Sequence, residues 1–417
     1  MNQDVEPATG RTPFSRALGV PGFRRLAFSY SVNELGDNLG AVALAILVFD
    51  ETSSAVAVAA VLLAAKVVPA FLAPAVTARL DQTAVRRSLP VLYLAEALVF
   101  ALLALIAGAF WLPAVLGLAM VDGTLALTGR GLSRAAAAAV LQPAGLLREG
   151  NSLLNVSFAV TSAGGPALGG LITALGGPAS ALGLDAASFL IAAIVMRGAP
   201  DATFAGEDAD ADAPWLARLR SGIRYVLGEP RVRLLVLGQA AALVFFYLVI
   251  PIEVVYAKRT LAAGDLGYGL LLAAWGGGIV IGSAVYPRVT HRPLGLLIAL
   301  STAAIGAAYL GLAVAPTIGV ACGVSVIGGL GNGVQWVAVV TAVQEAVAPH
   351  LQARVVGLLE SIAAATPGVG FVLGGALTAL GSPRLAYAVA GAGVLMVLAV
   401  MLVGVRQRAR GREVSVM

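Results

Sequence analysis

The sequence predicts an all-α membrane protein in which twelve transmembrane helices form two pseudo-symmetric six-helix bundles. Three observations lead to this prediction. Hydrophobic residues make up 59% of the 417 residues and charged residues 12%, whereas soluble chains are about 45–50% apolar and about 25% charged. The apolar residues occur in runs of about 20 residues or more, the length that crosses a bilayer. The second half of the chain repeats features of the first half.

The predicted helices follow one another with short connections. Pro113 and Pro316 begin two of them, which suits the first helical turn, where the missing N–H is not needed. The first apolar run is too long and too charged for a signal peptide, so none is expected. The spans, to within about 4 residues, are roughly 24–50, 55–79, 88–111, 113–140, 151–175, 179–198, 232–257, 266–289, 294–314, 316–343, 353–380 and 384–405.

The longest break between helices, over 199–230, divides the chain into an N-terminal bundle (1–198) and a C-terminal bundle (231–417). The first part of this linker is acidic and rich in Ala and Gly. Its second part, 215–227, has apolar residues at helical spacing against three arginines, which predicts an amphipathic helix on the membrane surface. An ordinary solvated linker is the alternative for the acidic part.

A repeat supports the division into halves. Residues 167–178 read ALGGLITALGGP and residues 372–383 read VLGGALTALGSP. Parallel six-helix repeats of this kind occur in transporters whose two halves rock against each other.

The basic residues predict the orientation in the membrane. Most of the 27 Lys and Arg residues lie in connections on one side of the predicted helices. Short loops rich in Lys and Arg face the cytoplasm. We therefore expect a multi-pass protein of the cell (inner or plasma) membrane with both termini and the linker in the cytoplasm.

The composition excludes several function classes. One cysteine, Cys322, rules out an internal disulfide or a multi-cysteine metal site, and both histidines fall in predicted loops. Neither lysine follows a glycine, so the chain has no phosphate-binding loop, and GGLGNG at 328–333 lies in an apolar span with no strand before it. We expect no cofactor, no metal and no enzymatic activity. The net charge of +5 reflects topology rather than nucleic acid binding.

The first predicted helix carries the main candidate site. Asn33, Glu34, Asp37 and Asn38 lie within an arc of about 140° on its surface, at 100° per residue. A charge at the bilayer centre costs about 3 kcal/mol. The two acids therefore need a wet cavity, a basic partner or protonation, so we interpret Asp37 as the first candidate proton carrier and Glu34 as the second. A pair that is satisfied inside a packed bundle is the alternative.

Two cations are candidates for modulating these acids. Lys66 lies at a depth in its predicted helix similar to that of Glu34 and Asp37, which permits an ion pair. Arg130 is deep enough in the fourth predicted helix to need a partner or water.

Other polar residues are weaker candidates, with structural pairing as the alternative for the acids. Glu96 is a lone acid in the third predicted helix. Asp81, Arg86 and Arg87 form a possible latch in the loop after the second helix, because a carboxylate beside arginines makes charge-assisted hydrogen bonds; a solvated loop is the alternative. The remaining cavity candidates are Asp122, Glu253, Asn332, Gln335, Trp336 and Glu360.

The fifth predicted helix contains a motif of small residues. It includes Gly165, Pro166, Gly169 and Gly170. Small residues at this spacing let helix backbones approach closely, and proline bends a helix. Plain helix packing is the alternative to a role in transport.

These features together resemble the major facilitator superfamily, and within it the branch of macrolide-efflux and enterobactin-exporter-like proteins. Residues 23–50 resemble the first helix of that branch, with Asp37 at its Gly-Asp position. Residues 146–172 resemble its fifth helix, which carries the antiporter motif. In the loop motif Asp81 matches the acid, but Thr77 and Gln82 stand where a glycine and an arginine are usual. The resemblance implies alternating access and proton-coupled export.

The sequence therefore predicts a monomeric secondary transporter in the lipid bilayer. We expect it to export an amphipathic small molecule, such as a drug, a natural product or a siderophore-like compound, in exchange for protons. A carboxyl group in an apolar pocket suits this role because desolvation disfavours its charged form. A facilitator or importer with no proton coupling is the alternative on the same fold.

Overall fold

The structure is helical along the chain, with short connections. It is a computed structural model, and it describes residues 13–80, 85–198, 224–347 and 349–416. The helices are α1 Pro13–Leu18, α2 Pro21–Thr52, α3 Ala55–Leu80, α4 Val85–Ile106, α5 Leu112–Leu141, α6 Leu147–Met196, α7 Pro230–Val249, α8 Gly264–Val289, α9 Leu294–Val314, α10 Ile318–Ala346, α11 Pro349–Leu380 and α12 Pro383–Val416.

Helix α6 contains two predicted spans. Its 50 residues would extend about 75 Å at 1.5 Å per residue, more than twice the thickness of a bilayer core. Gly177 breaks it with φ 78° and ψ 169°, and Pro178 starts the second arm. Within the described residues, ten helices are long and apolar enough to cross a membrane, with α6 counted once. The two arms of α6 and the shorter apolar part of α11 complete the predicted twelve, so the fold class is confirmed.

Helix α7 loses its regularity near one end. A 3₁₀ turn at Ile250–Ile252, one turn at Glu253–Val255 and a π-helical turn at Tyr256–Thr260 follow it. Pro251 lacks the N–H that would continue the α-helical ladder. This irregular segment carries Lys258 and Arg259 to the end of the molecule where α2 also ends.

Each half has its own packed core. In the first half, α2 and α4 pack on α6, and α3 packs on α5. Ile46, Phe100 and Phe189 are among the fully or nearly fully buried side chains there. In the second half, α10 packs on α8 and α9, and α12 packs on α9 and α7. Tyr309 and Tyr387 lie in that core.

Glycines of the repeated sequence make equivalent contacts in the two halves. A Cβ on Gly169 would come within 2.8 Å of the Leu39 carbonyl oxygen of α2, and one on Gly374 would collide with the Leu248 carbonyl oxygen of α7. The next glycine in each repeat faces the opposite half: Gly170 lies against α8, and Gly375 lies against α3. This correspondence relates α2 to α7 and explains why both repeats need a residue without a side chain.

Several predicted features lie outside the described residues. They are most of the predicted linker, 199–223, together with Asp81 and the side chains of Arg86 and Glu360. Residues 224–228 are helical, and Val226 is buried beside Val232 of α7. The last turn of the predicted amphipathic helix therefore packs on the second half of the chain.

Candidate functional site

A cavity of about 300 Å³ lies between the two halves. Helices α2, α3, α4 and α5 form most of its wall, and Tyr247 of α7 and Pro367 of α11 close it from the other half. Its polar lining comes from Asp37, Lys66, Asp122 and Arg130, and much of the remaining lining is apolar. The cavity thus offers a charged region beside a hydrophobic wall.

Arg130 holds both candidate proton carriers. Its Nη2 donates a hydrogen bond to Asp37 Oδ2 at 2.9 Å, and its Nε lies 3.1 Å from Glu34 Oε1. The Glu34 side chain is fully buried, the Asp37 side chain is 10% exposed, and the Arg130 side chain is 41% exposed. One cation on α5 therefore bridges two carboxylates on α2, and its exposed part faces the cavity.

The two asparagines of the same helix support the acids from different sides. Asn33 is buried, and its Nδ2 donates to Asp37 Oδ2 at 3.3 Å. Asn38 donates to the backbone oxygen of Glu34 at 2.6 Å, and its Cβ faces Gly165 of α6. Asn33 is thus an immediate neighbour of the candidate proton carrier, whereas Asn38 lies at the α2–α6 contact.

Lys66 does not form the ion pair that the sequence permits. Among the described residues it pairs with neither Glu34 nor Asp37, because Arg130 occupies that place. Lys66 lines the cavity together with Asp122, and it interacts electrostatically with Asp37, Asp122 and Glu34 without a direct ion pair. Asp122 Oδ1 is buried and has no hydrogen-bond partner among the described residues.

The other cavity candidates lie elsewhere. Gln335 is buried and donates to Gln239 Oε1 of α7 at 2.8 Å, which is structural pairing within the second half. Asn332 and Trp336 are half-buried on the same helix, α10. Glu253 lies at the irregular end of α7. The described lining of the cavity includes none of these four residues.

The small residues of α6 lie at two different contacts. Gly165 and Gly169 pack against α2, while Gly170 faces Gly269 of α8 in the other half. Gly164 has free space around it, and the Pro166 carbonyl oxygen also faces Gly269. This segment of α6 therefore forms both an intra-bundle contact and a contact between the halves.

A charged cluster joins the halves where α2 ends. Lys258 Nζ donates to Asp50 Oδ1 of α2 and to Asp265 Oδ1 of α8, each at 2.5 Å. The Arg259 guanidinium carbon lies 4.9 Å from the ring centroid of Phe49. This cluster was not predicted from the sequence, since its members lie near the ends of separate spans.

Two buried acids beside α2 are not part of the described lining of the cavity. Glu96 of α4 and Asp185 of the second arm of α6 are both 0% exposed. Glu96 was predicted from the sequence as a lone acid, whereas Asp185 was not. The signal that could have found it was present, because Asp185 is a single charge inside an apolar run.

Among the described residues, no group of three or more His, Cys, Asp and Glu side chains is placed to hold a metal ion. The chemistry that the site offers is therefore that of carboxyl groups, one guanidinium and one ammonium around a cavity.

The fold is that of membrane transporters. The chain superposes on the nucleoside transporter NupG with a TM-score of 0.72 and 13% identity, over 92% of this chain and 98% of that one. A bacterial homologue of the iron transporter ferroportin, in its inward-facing state, superposes with a TM-score of 0.69 and 16% identity, over 92% of this chain and 98% of that one. A bacterial homologue of the human lysosomal transporter Spinster, in an inward-facing and occupied conformation, superposes with a TM-score of 0.67 and 13% identity, over 95% of this chain and 98% of that one. At these identities the likeness shows the fold alone.

The sequence places the chain more narrowly. Residues 11–414 match the model of the family described as transmembrane secretion effector (MFS_3). No curated protein matches the sequence. The chain therefore belongs to this family of major facilitator transporters, and it is a secondary transporter rather than an enzyme.

Proposed function

We propose that the protein exports an amphipathic small molecule from the cytoplasm in exchange for protons, with Asp37 and Glu34 as the coupling acids. The observation that carries this proposal is the bridge that Arg130 makes to both carboxylates at the edge of the cavity. The chain is then an antiporter, and a protein of this kind confers resistance when its substrate is toxic.

The bridge supports coupling because it depends on charge. Arg130 holds Asp37 only while the carboxylate is ionised, since a protonated carboxyl loses the charge-assisted part of the bond. A proton that binds Asp37 therefore frees one side of the guanidinium. A cationic group of a substrate could take the same place beside the carboxylate. Proton and substrate then compete for Asp37, and each favours a different arrangement of α2 and α5.

The cavity lining supports an amphipathic substrate. Leu44, Val48 and Phe100 line it beside the charged groups, so a molecule with an apolar body and one polar end matches both regions. Mostly apolar pockets with a few placed polar groups are typical of small-molecule sites.

The direction and orientation have separate support. The family description, transmembrane secretion effector, supports export. The arginines near the start of α2 and in the first turn of α4 support cytoplasmic termini. In that orientation Lys258 and its two partners lie on the outside, where the bond from Lys258 to Asp50 joins the halves and the bond to Asp265 fixes Lys258 within the second half. Alternating access then requires the Lys258–Asp50 bond to break when the outer end opens.

The test is transport in vesicles with the pH gradient on and off. Purified protein in liposomes is given ethidium as a cationic probe and fluorescein as an anionic probe. We expect a gradient that is acidic on the face opposite the termini to drive accumulation of ethidium, but not of fluorescein, on that face. Collapse of the gradient by nigericin should abolish the accumulation.

Empty liposomes are the control. Equilibration of either probe at a rate that ignores the gradient would contradict proton coupling and support a facilitator. Accumulation toward the face that carries the termini would contradict export.

A further inference from the structure

We propose that Glu96 and Asp185 form a second proton-binding site, against α2 and outside the described lining of the cavity, in which each side chain is present as a neutral carboxylic acid. This inference deepens the proposed function, because the site would respond to the charge of Asp37. Proton binding at this site can be measured without measuring transport, so the two proposals can fail separately.

Both side chains are buried without a partner that would stabilise a charge. Glu96 and Asp185 are 0% exposed. Neither oxygen of Glu96 has a hydrogen-bond partner among the described residues, and Asp185 Oδ2 has none. Asp185 Oδ1 accepts one bond, from Ser188 Oγ at 3.2 Å. An ionised carboxylate in such surroundings has a large desolvation cost, and it normally becomes neutral instead.

The site has a third wall on α2. Ser29, Asn33, Gly36 and Gly40 fall within an arc of about 60° at 100° per residue. A Cβ on Gly36 or on Gly40 would collide with the Asp185 carboxyl group. Asn33 Oδ1 lies on this face and is buried and unpartnered among the described residues, and Ser29 Oγ is buried on the same face beside Tyr93 of α4, which also faces Glu96. These are hydrogen-bond acceptors, which suit neutral carboxyl groups that donate an O–H.

Packing alone does not explain an acid at this position. In the second half, the corresponding contact between α7 and α12 is made by the Phe245 ring against Gly393. In the second half, therefore, the space between the two helices is filled by an apolar ring that packs against a glycine. Burying a polar group without its hydrogen bonds costs free energy, so a carboxyl group here indicates a chemical role.

The charge balance points the same way. Among the described residues, the carboxyl groups inside the N-terminal bundle are Glu34, Asp37, Glu96, Asp122 and Asp185. The facing groups interact across helices: Glu96 with Asp37 of α2, with Asp122 and Arg130 of α5 and with Asp185, and Asp185 with Asp37 and Asp122. The cations that interact with this set, Arg130, Lys66 and the exposed Arg134, are too few to balance every carboxylate. Protons bound to some of the carboxyl groups would neutralise the remaining negative charge, and no cluster among the described residues suits a metal ion.

Asn33 connects the two sites. Its Nδ2 donates to Asp37 Oδ2, while its Oδ1, on the side of Gly36 and Gly40, has no hydrogen-bond partner among the described residues. A change in the charge of Asp37 therefore reaches the buried acids through one side chain and through direct electrostatic interaction. When Arg130 releases a protonated Asp37, the field at Glu96 changes, and the affinity of the second site for protons changes with it.

The experiment is infrared spectroscopy of the full-length protein in lipid nanodiscs. A protonated carboxyl group has a C=O stretching band that a carboxylate lacks, and the band shifts in D₂O. At neutral pH we expect wild type to show such bands, and Glu96→Gln and Asp185→Asn each to remove one. Glu51→Gln, which changes an exposed acid at the end of α2, should leave them. Asp37→Asn should shift the Glu96 band in frequency.

Full retention of the bands in both variants would overturn the proposal. If Glu96→Gln does not fold, Glu96→Asp should keep a displaced band, and wild type should lose its bands on titration to high pH; bands absent at neutral pH would also overturn it. Stabilisation by NaCl over choline chloride that both variants lose would assign a sodium ion instead. Bands that behave as expected, without gradient-driven transport, would sustain the proton site and reject the proposed function.

Discussion

The two halves differ most at the positions that their symmetry makes equivalent. The glycine contacts relate Leu39 of α2 to Leu248 of α7. In the same register, Asp37 corresponds to Phe246 and Glu34 to Leu243. Where α2 carries two acids that bind a guanidinium, α7 carries two apolar side chains, and the Phe246 ring lies 6.2 Å from Trp275.

The difference continues through each core. The first half contains acids on α2, α4, α5 and α6 that interact with one another. The second half contains a cluster of rings in which Tyr387 contacts both Tyr256 and Tyr309, with Glu253 nearby. One fold thus holds a half built for charge and a half built for aromatic packing. We infer that proton binding belongs to the first half and that the second half supplies a rigid, apolar surface.

Removal of Arg130 should produce the largest effect. Arg130→Leu leaves Glu34 buried without its cation, and loss of one partner of a buried ion pair costs about 3–5 kcal/mol. The exposure of Arg130 to the cavity reduces that figure. We expect a lower unfolding temperature in detergent and a loss of gradient-driven transport of more than about tenfold, which corresponds to about 1.4 kcal/mol.

Arg130→Lys is the matched variant. It keeps the charge but lacks the planar fork that reaches two carboxylates at once. Its stability and transport should lie between those of wild type and Arg130→Leu. Equal transport by all three proteins would remove Arg130 from the coupling site.

A methyl group at the α2–α6 contact should have the next largest effect. A Cβ on Gly169 would lie 2.8 Å from the Leu39 carbonyl oxygen, and overpacking costs about 1–3 kcal/mol. Gly169→Ala should therefore lower the unfolding temperature and the transport rate. Gly164→Ala adds the same atom on the same helix, where there is free space, and should be neutral or slightly stabilising because alanine favours helix. Indistinguishable variants would show that the contact is not tight.

Neutralising Glu253, an acid of the second half, should have the smallest effect. Glu253 does not belong to the described lining of the cavity. Glu253→Gln should leave the dependence of transport on the pH gradient within about twofold of wild type, as expected for a change of about 0.5 kcal/mol or less. Decoupling of transport by this variant would break the comparison between the halves and place a coupling acid in the second one.

The sequence predicted the fold well because the bilayer imposes it. Each span needs a long apolar run, and such runs are visible without knowledge of any contact. The main irregularity is that two predicted spans form one continuous element, α6. Its two arms meet at a kink at Gly177 and Pro178, with no separate connection between them.

The site was predictable only in part. The acids of α2 were visible because charges are costly in a membrane, but their partner was not, since depth alone permits Lys66 and Arg130 equally. The structure separates them by direction: Arg130 of α5 reaches α2, and Lys66 of α3 lies along the cavity wall. The Asp185 carboxyl group packs against Gly36 and Gly40 of α2. These residues are far apart in the chain, so the local sequence could not predict their contact.

Asp37→Asn tests the central claim most directly. Asparagine keeps the shape of the side chain but has no titratable proton. In liposomes that transport ethidium, Asp37→Asn should retain downhill exchange and lose accumulation against a concentration gradient when only the pH gradient supplies energy. Glu51→Gln should accumulate as wild type does. Accumulation by Asp37→Asn equal to that of wild type under the same gradient would contradict the account and move proton coupling to another residue.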